Sequence, residues 1–236
     1  KINPQCNIYC GLHDSNAAYY LYERKFNKIF TLISTGTWVV IFNKQMKLDL
    51  LNENKEIFAK INVYGKLIPV IRFMGGREYS IIVKKCLNFI KTKKSIDYLF
   101  DKKVYAMPSF ADGGPFKNIK GKIINKKLLR SRDDYISLAS LYIALIIDYC
   151  LKQIDSNNSI IIDGVFAKNK MFLYYLSVLR QNQRIFVSHE SNGTATGAFL
   201  LCNKGSNYKL NLEKLPKNIN QIILSYKEEW IKLIKK

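Results

Sequence analysis

The run Ser159-Ile160-Ile161-Ile162, closed by Asp163-Gly164, constrains this chain more than any other feature. Three consecutive isoleucines leave no polar face, so the segment reads as a strand buried on both sides, the kind found inside parallel sheets. A parallel neighbour is reached through a crossover, usually a helix, and such helices cover the faces of the sheet. An α/β domain follows from these few residues.

The rest of the chain alternates in keeping with that. Residues 7–10 read as a short strand that Gly11 turns toward His13-Asp14, and residues 17–22 suit a helix. Two β-rich runs, 28–34 and 37–42, flank the tight turn Thr35-Gly36 and predict a hairpin. A polar stretch over 43–60 leads to another extended segment near 61–64, and Gly75-Gly76 precede a helical segment over 77–90. Residues 104–121, with Pro108, Asp112-Gly113-Gly114-Pro115 and Gly121, read as an irregular loop. Asp133-Asp134 open the clearest helix, whose Leu138, Leu141, Tyr142, Leu145, Ile146 and Tyr149 keep helical spacing. After the triple isoleucine, a helix is expected near 170–180 and a strand at 184–187. A small-residue helix start follows at Gly193-Thr194-Ala195-Thr196-Gly197-Ala198, then one amphipathic tail helix within 213–236. The sum is a mixed, hairpin-bearing sheet flanked by helices. Neither a Walker A loop nor G-x-G-x-x-G occurs, which removes the main support for P-loop and dinucleotide-binding readings.

Charge is the visible anomaly: 38 Lys and Arg against 18 Asp and Glu leave +20. Such a balance fits a nucleic-acid or acidic-membrane partner. Yet only seven of these cations are Arg and the Lys residues are scattered, without the interleaved aromatics of a stacking platform. Heavy use of Lys, Ile and Asn, all encoded by AT-rich codons, points to composition bias instead, so neither nucleic acid nor membrane is expected as a partner. Cys6, Cys10, Cys86, Cys150 and Cys202 lack metal-ligand spacing and read as free, buried thiols in a reducing, cytoplasmic setting. No signal peptide is apparent, and the apolar stretch 138–151 is interrupted by Asp148. The chain opens on Lys1 rather than Met and reads as a piece of something longer.

Three polar clusters sit where strands end, the place α/β folds put ligands. In Gly11-Leu12-His13-Asp14-Ser15-Asn16, Asp14 suits a general base or metal ligand, and equally a helix cap. Ser34-Thr35-Gly36-Thr37-Trp38 offers N–H groups and hydroxyls to phosphate oxygens, or is an ordinary turn. Asp163-Gly164-Val165-Phe166-Ala167-Lys168-Asn169 is a strand-to-helix turn whose helix N-terminus favours an anion or nucleotide. Elsewhere Arg72, Arg77 and Glu78 read as a phosphate contact or a helix-start ion pair, Asp112 as a turn residue or a group near Mg²⁺. His189 reads as surface, and Trp230 as the residue that docks the tail helix.

Taken in this order, these elements resemble the C-terminal half of the FGGY carbohydrate kinases, members of the actin-like/ribonuclease-H-like ATPase superfamily. Among them the likeness is to rhamnulokinase- and fuculokinase-type enzymes. It runs from about residue 10 to 201 and rests on His13-Asp14, Ser34-Thr35-Gly36-Thr37-Trp38 and Asn62. Pro108 with Gly113-Gly114, the helix from Asp133, Asp163-Gly164 through Asn169, and 193–198 complete it. The resemblance implies that Asp14 is the catalytic carboxylate and that His13, Ser15 and Asn62 touch the sugar. It further implies that Gly36 and Thr37 meet the nucleotide phosphates and that Gly164 and Asn169 pack at the adenine end. ATP and Mg²⁺ are the implied cofactors, with no metal ligand assigned in this chain. The acceptor is a ketose such as L-rhamnulose or L-fuculose. Residues 1–12 would be the end of the family's N-terminal domain and 13–236 the C-terminal nucleotide-binding domain. The missing N-terminal domain is the main expected partner, with a homodimer also possible. Val165 and Phe166 stand where the family usually has further glycines, which opens the alternative of a non-catalytic or split-gene nucleotide-binding domain.

Overall fold

The triple isoleucine lies at the heart of a seven-stranded mixed sheet in a computed structural model that describes residues 5–84, 96–117, 119–190 and 192–235. In chain order the first half runs α1 (Asp14–Lys25), β1 (Phe30–Thr35), β2 (Val39–Asn43), β3 (Ile57–Ile61), β4 (Leu67–Phe73) and α2 (Gly75–Lys84). Then come α3 (Ile96–Asp101), β5 (Tyr105–Met107), β6 (Lys122–Ile124), α4 (Arg132–Gln153) and β7 (Ser159–Gly164). The chain closes with α5 (Lys170–Leu179), β8 (Ile185–Ser188), α6 (Gly193–Cys202), β9 (Leu212–Lys214) and α7 (Gln221–Ile234). The sheet order is β3-β4-β2-β1-β7-β8-β9. β1, β7 and β8 are parallel, and the outer strands pair antiparallel on either side of them.

Strand alternation divides the core between the faces. Ile33, Ile41, Ile71, Ile160 and Ile162 face the layer of α2, α4, α5 and α7. Leu32, Phe42, Val70 and Ile161 face α1 and α6. The longest helix, α4, is capped reciprocally: Ser131 Oγ accepts from Asp134 N–H at 3.1 Å, and Asp134 Oδ2 accepts from Ser131 N–H at 3.1 Å. By length and composition α4 is apolar enough to cross a membrane, contrary to what Asp148 led one to expect, but it is buried inside the protein. Asp148 itself is buried and holds Lys227 of α7 at 2.7 Å and Arg180, just after α5, at 3.5 Å. One carboxylate thus ties three helix segments together. Trp230 Nε1–H donates to Ala106 O at 2.8 Å and docks α7 on β5, as the sequence led one to expect.

Four expectations need correction. Residues 7–10 are exposed and irregular, and among the described residues they pair with no strand of the sheet. The segment near 61–64 is the turn between β3 and β4, and β4 went unread because Pro69, which has no N–H, interrupts its apolar run. The 104–121 loop is closed at its base by the short β5–β6 pair. The tail holds strand β9 before its helix, which starts only at Gln221. Helix α2 starts at Gly75; the rest of the predicted helix, with Cys86 and the lysine cluster 91–94, falls outside the described residues.

α1 and α6 cross so closely that a Cβ on Gly197 would lie 1.9 Å from Ala17 O. Alanine is the better helix former by about 1 kcal/mol, so the sign of Gly197→Ala separates propensity from packing. Urea unfolding is expected to show a net loss of about 2 kcal/mol; unchanged or increased stability would contradict this crossing.

Candidate functional site

The carboxyl end of β1 opens onto a cleft of about 480 Å³. The start of α1 contributes His13, Asp14 and Ser15, the β1–β2 turn contributes Ser34 to Trp38, and α6 contributes Thr194. Val40, Lys60 and Arg72 complete the wall from β2, β3 and β4. His13 is the N-cap of α1, its ring accepting from Ser15 N–H. Asp14 is therefore the first helical residue, not the cap, and its side chain is 77% exposed. Asp14 Oδ1 lies 2.7 Å from His13 Nδ1 and accepts Ser15 N–H at 2.6 Å. The carboxylate is oriented on one oxygen and open to the cleft.

Lys60 and Arg72 shape the opposite wall. Lys60 Nζ donates to Ser15 Oγ at 2.5 Å, and Ser15 Oγ lies 2.9 Å from His13 Nδ1. Burial lowers the Lys60 pKa from its ordinary value, Asp14 pulls it back up and Arg72 pushes it down. The Arg72 guanidinium lies 4.9 Å from the ring centroids of both Trp38 and Phe58, and its Nε–H donates to Glu56 Oε2 at 2.9 Å. Lys117 holds the other Glu56 oxygen at 3.3 Å. Arg72 therefore makes neither an ion pair with Glu78 nor a helix-start cluster. Glu78 is buried and accepts from Phe110 N–H at 3.0 Å and from the Tyr142 hydroxyl, which ties the 108–121 loop to α2 and α4. Lys60 went unnoticed in the sequence; the signal was a cation two residues after Phe58 on an otherwise apolar strand face.

The hairpin turn is gripped by its neighbours. Thr35 Oγ1 donates to Asp163 O at 2.6 Å and accepts Phe166 N–H at 3.0 Å, joining the ends of β1 and β7. Gly164 has φ 88°, and a Cβ there would meet Thr35 O at 2.0 Å. On the other side Gly76 N–H donates to Thr37 O at 3.2 Å, and a Cβ on Gly76 would lie 2.2 Å from Gly36 O. The N-terminus of α2 thus abuts the turn. Asp163 is buried beside it; burial raises its pKa, against hydrogen bonds from Gly164 N–H and Tyr22 that lower it.

Gly76 also borders a second cavity of about 540 Å³, walled by Tyr79, Ile136, Val165, Phe166, Asn169 and Met171 among others. Asn169 Oδ1 caps α5 by accepting Phe172 N–H at 3.0 Å, and its Nδ2 donates to Ser140 Oγ at 3.1 Å. Phe166 turns into the core against Tyr79 and Phe172, while Val165 is 60% exposed. The structure thus brings His13, Asp14, Ser15, Gly36 and Thr37 together in one cleft and places Asn169 at the adjoining cavity. Gly164 joins the two strand ends. Asn62 stands apart: its Oδ1 accepts from Tyr64 and Lys66 N–H and its Nδ2 donates to Glu23, all within the β3–β4 turn and its contact with α1. Asp112 lines a third cavity, about 580 Å³, under the 108–121 loop, and His189 pairs with Glu213 at 2.8 Å. Among the described residues no three His, Cys, Asp or Glu side chains converge as a metal site.

Residues 27–209 match the family model for the C-terminal domain of the FGGY carbohydrate kinases. A carbohydrate kinase from Novosphingobium aromaticivorans superposes with a TM-score of 0.76 at 27% identity, over 95% of this chain and 51% of that one. Xylulose kinase from Rhodospirillum rubrum superposes with a TM-score of 0.71 at 14% identity, over 96% and 51%. Plasmodium falciparum glycerol kinase with ADP gives 0.64 at 15%, over 94% and 49%. This chain therefore spans about half the length of each of these structures. The common architecture is the actin-like/ribonuclease-H-like ATPase fold. No curated protein sequence matches the chain.

The Glu56 bridge sets a pH dependence. Burial alone would raise the Glu56 pKa, but hydrogen bonds and charge from Arg72 and Lys117 outweigh it and hold the carboxyl below its ordinary 4.5. A depressed carboxylate stabilises the fold above its unfolded pKa, and that contribution is lost as pH falls through the folded value. Glu56→Gln is expected to be less stable than wild type at pH 7, with the gap closing well below pH 4.5 in urea titrations. A gap independent of pH would contradict the bridge.

Proposed function

The chain belongs to the FGGY carbohydrate kinases, as their C-terminal domain, and from that premise we propose that it is the nucleotide-binding half of an ATP-dependent sugar kinase. The observation that carries the reading is Asp14, an exposed carboxylate oriented at the helix start and sharing one cleft with Gly36 and Thr37. In this reading Asp14 takes the proton of an acceptor hydroxyl as that oxygen attacks the γ-phosphorus of ATP. The bond to the β-phosphate oxygen breaks, and ADP and a sugar phosphate leave. Phosphoryl transfer asks mainly for positioning and charge neutralisation, which an in-line base and a phosphate cradle supply. The Gly36-Thr37 turn would meet the phosphates, with the base stacked in the adjoining cavity near Asn169. The tight approach of Gly76 to Gly36 leaves backbone rather than side chains between the two. Mg²⁺ would ride on the phosphates, as it commonly does with few protein ligands.

The acceptor we propose is a ketose such as L-rhamnulose or L-fuculose, with His13 and Ser15 as its contacts; Asn62 would act by shaping the β3–β4 turn. Residues 1–12 are, on this proposal, the end of an N-terminal half that supplies the rest of the sugar pocket, and closure of the two halves would exclude water. The four described cysteines are free; Cys150 is buried as expected, whereas Cys6 and Cys10 are exposed because the segment that carries them packs on no strand among the described residues. Val165, exposed at the cavity, favours a second reading, a domain that binds nucleotide weakly and does no chemistry.

Three measurements decide. In the two-domain enzyme Asp14→Asn is expected to cut turnover by about 10²–10⁴-fold, some 3–5 kcal/mol of barrier, with ATP binding retained; near wild-type turnover would overturn the base assignment. A panel of L-rhamnulose, L-fuculose, D-xylulose and glycerol tests the acceptor. For the second reading, Val165→Gly should tighten Mg·ATP binding in calorimetry if Val165 obstructs the cavity.

A further inference from the structure

Lys60 and Arg72 are two partly buried cations whose placement the fold has fixed; the carboxylate that shares their cleft, Asp14, acts on Lys60 through its charge but forms an ion pair with neither. Arg72 reaches the cleft because it pairs in register with Val40 on the neighbouring strand. Trp38 and Phe58 hold its guanidinium plane, and Glu56 takes only its Nε–H. Glu56 lines the cavity under the 108–121 loop, not this cleft. The terminal nitrogens of Arg72 make no hydrogen bond among the described residues. Lys60 Nζ is bonded to Ser15 Oγ, and no carboxylate among the described residues forms an ion pair with it. Partial burial of a cation costs free energy unless an anion offsets it; Glu56 does so for Arg72, and no bonded anion among the described residues does so for Lys60. A planar, pre-oriented guanidinium beside an ammonium matches the oxygens of a phosphoryl or carboxylate group.

We propose that Lys60 and Arg72 form an oxyanion subsite on the acceptor side of the cleft, which holds a phosphoryl or carboxylate group next to Asp14. The side follows from connectivity: Lys60 reaches Asp14 through Ser15 and His13, whereas the nucleotide cavity lies beyond Thr37 and Gly76. The shared chemistry has two sources, the phosphoryl group once it has reached the acceptor oxygen, or an acid group carried by the acceptor itself. Which oxyanion arrives rests on the kinase reading; that the two cations bind one does not.

The protein carries its own probe. Of its two tryptophans, Trp230 on α7 is buried in the core and Trp38 lies in the cleft against Arg72. Titrating the chain with inorganic phosphate at about 0.15 M salt, which screens diffuse attraction, is expected to change the fluorescence saturably. Lys60→Met should weaken that binding at least about tenfold and Lys60→Arg by only about threefold, since one charge-assisted hydrogen bond is removed or kept. Circular dichroism melts verify that both variants fold. Displacement by a sugar phosphate but not by an aldonate identifies the transferred phosphoryl, the converse an acidic acceptor, and either supports the subsite. No saturable response to phosphate, or one indifferent to Lys60→Met, overturns it. Mg·ATP is titrated in parallel: phosphate binding through Lys60 without ATP binding upholds the subsite and counts against the kinase reading. ATP binding without Lys60-dependent phosphate binding does the reverse.

Discussion

The backbone of residues 35–37 is clamped from two sides at distances only glycine permits. A Cβ on Gly164 would come within 2.0 Å of Thr35 O, and one on Gly76 within 2.2 Å of Gly36 O. Thr35 Oγ1 completes the clamp by bonding both the carbonyl of Asp163 and the N–H of Phe166. Because the turn is fixed to β7 and to α2 at once, the cleft with Asp14 and the cavity with Asn169 keep a constant relation across it. A looser turn would leave two unrelated hollows. The overlap at both glycines is far too large for small side-chain motions to relieve, so the backbone itself would have to move.

The same rigidity extends to the helices. α6 presses against α1 at Gly197 and so fixes the helix that begins at Asp14, and α4, α5 and α7 are tied through Asp148. The site is thus assembled from element ends held by buried contacts, which is how α/β folds place groups precisely at strand termini.

What the sequence disclosed was whatever is local. The triple isoleucine, the Thr35-Gly36 turn, the Asp133-Asp134 helix start and the Gly193 stretch each carry their pattern within a few residues, and each became the element expected. What it concealed arises from pairing at a distance. β4 was masked by Pro69, and without β4 there is no register to bring Arg72 beside Val40 or to aim Lys60 at Ser15. Asn62 entered as a sugar contact only through the family resemblance; what its own neighbourhood hid is that it also builds the β3–β4 turn, through bonds from Tyr64 and Lys66 N–H. The net charge of +20 pointed at nothing local, yet two of those cations are the ones that line the cleft.

The proposed function requires that a nucleotide lie across the clamped turn, with its phosphates at Gly36-Thr37 and its base in the cavity of Val165 and Asn169. Amide hydrogen exchange of the chain with and without Mg·ADP tests this directly. Slower exchange confined to residues 35–38, 76–80 and 164–171 is the predicted result. Protection that appears only elsewhere, for instance under the 108–121 loop, or none at saturating nucleotide, would contradict it.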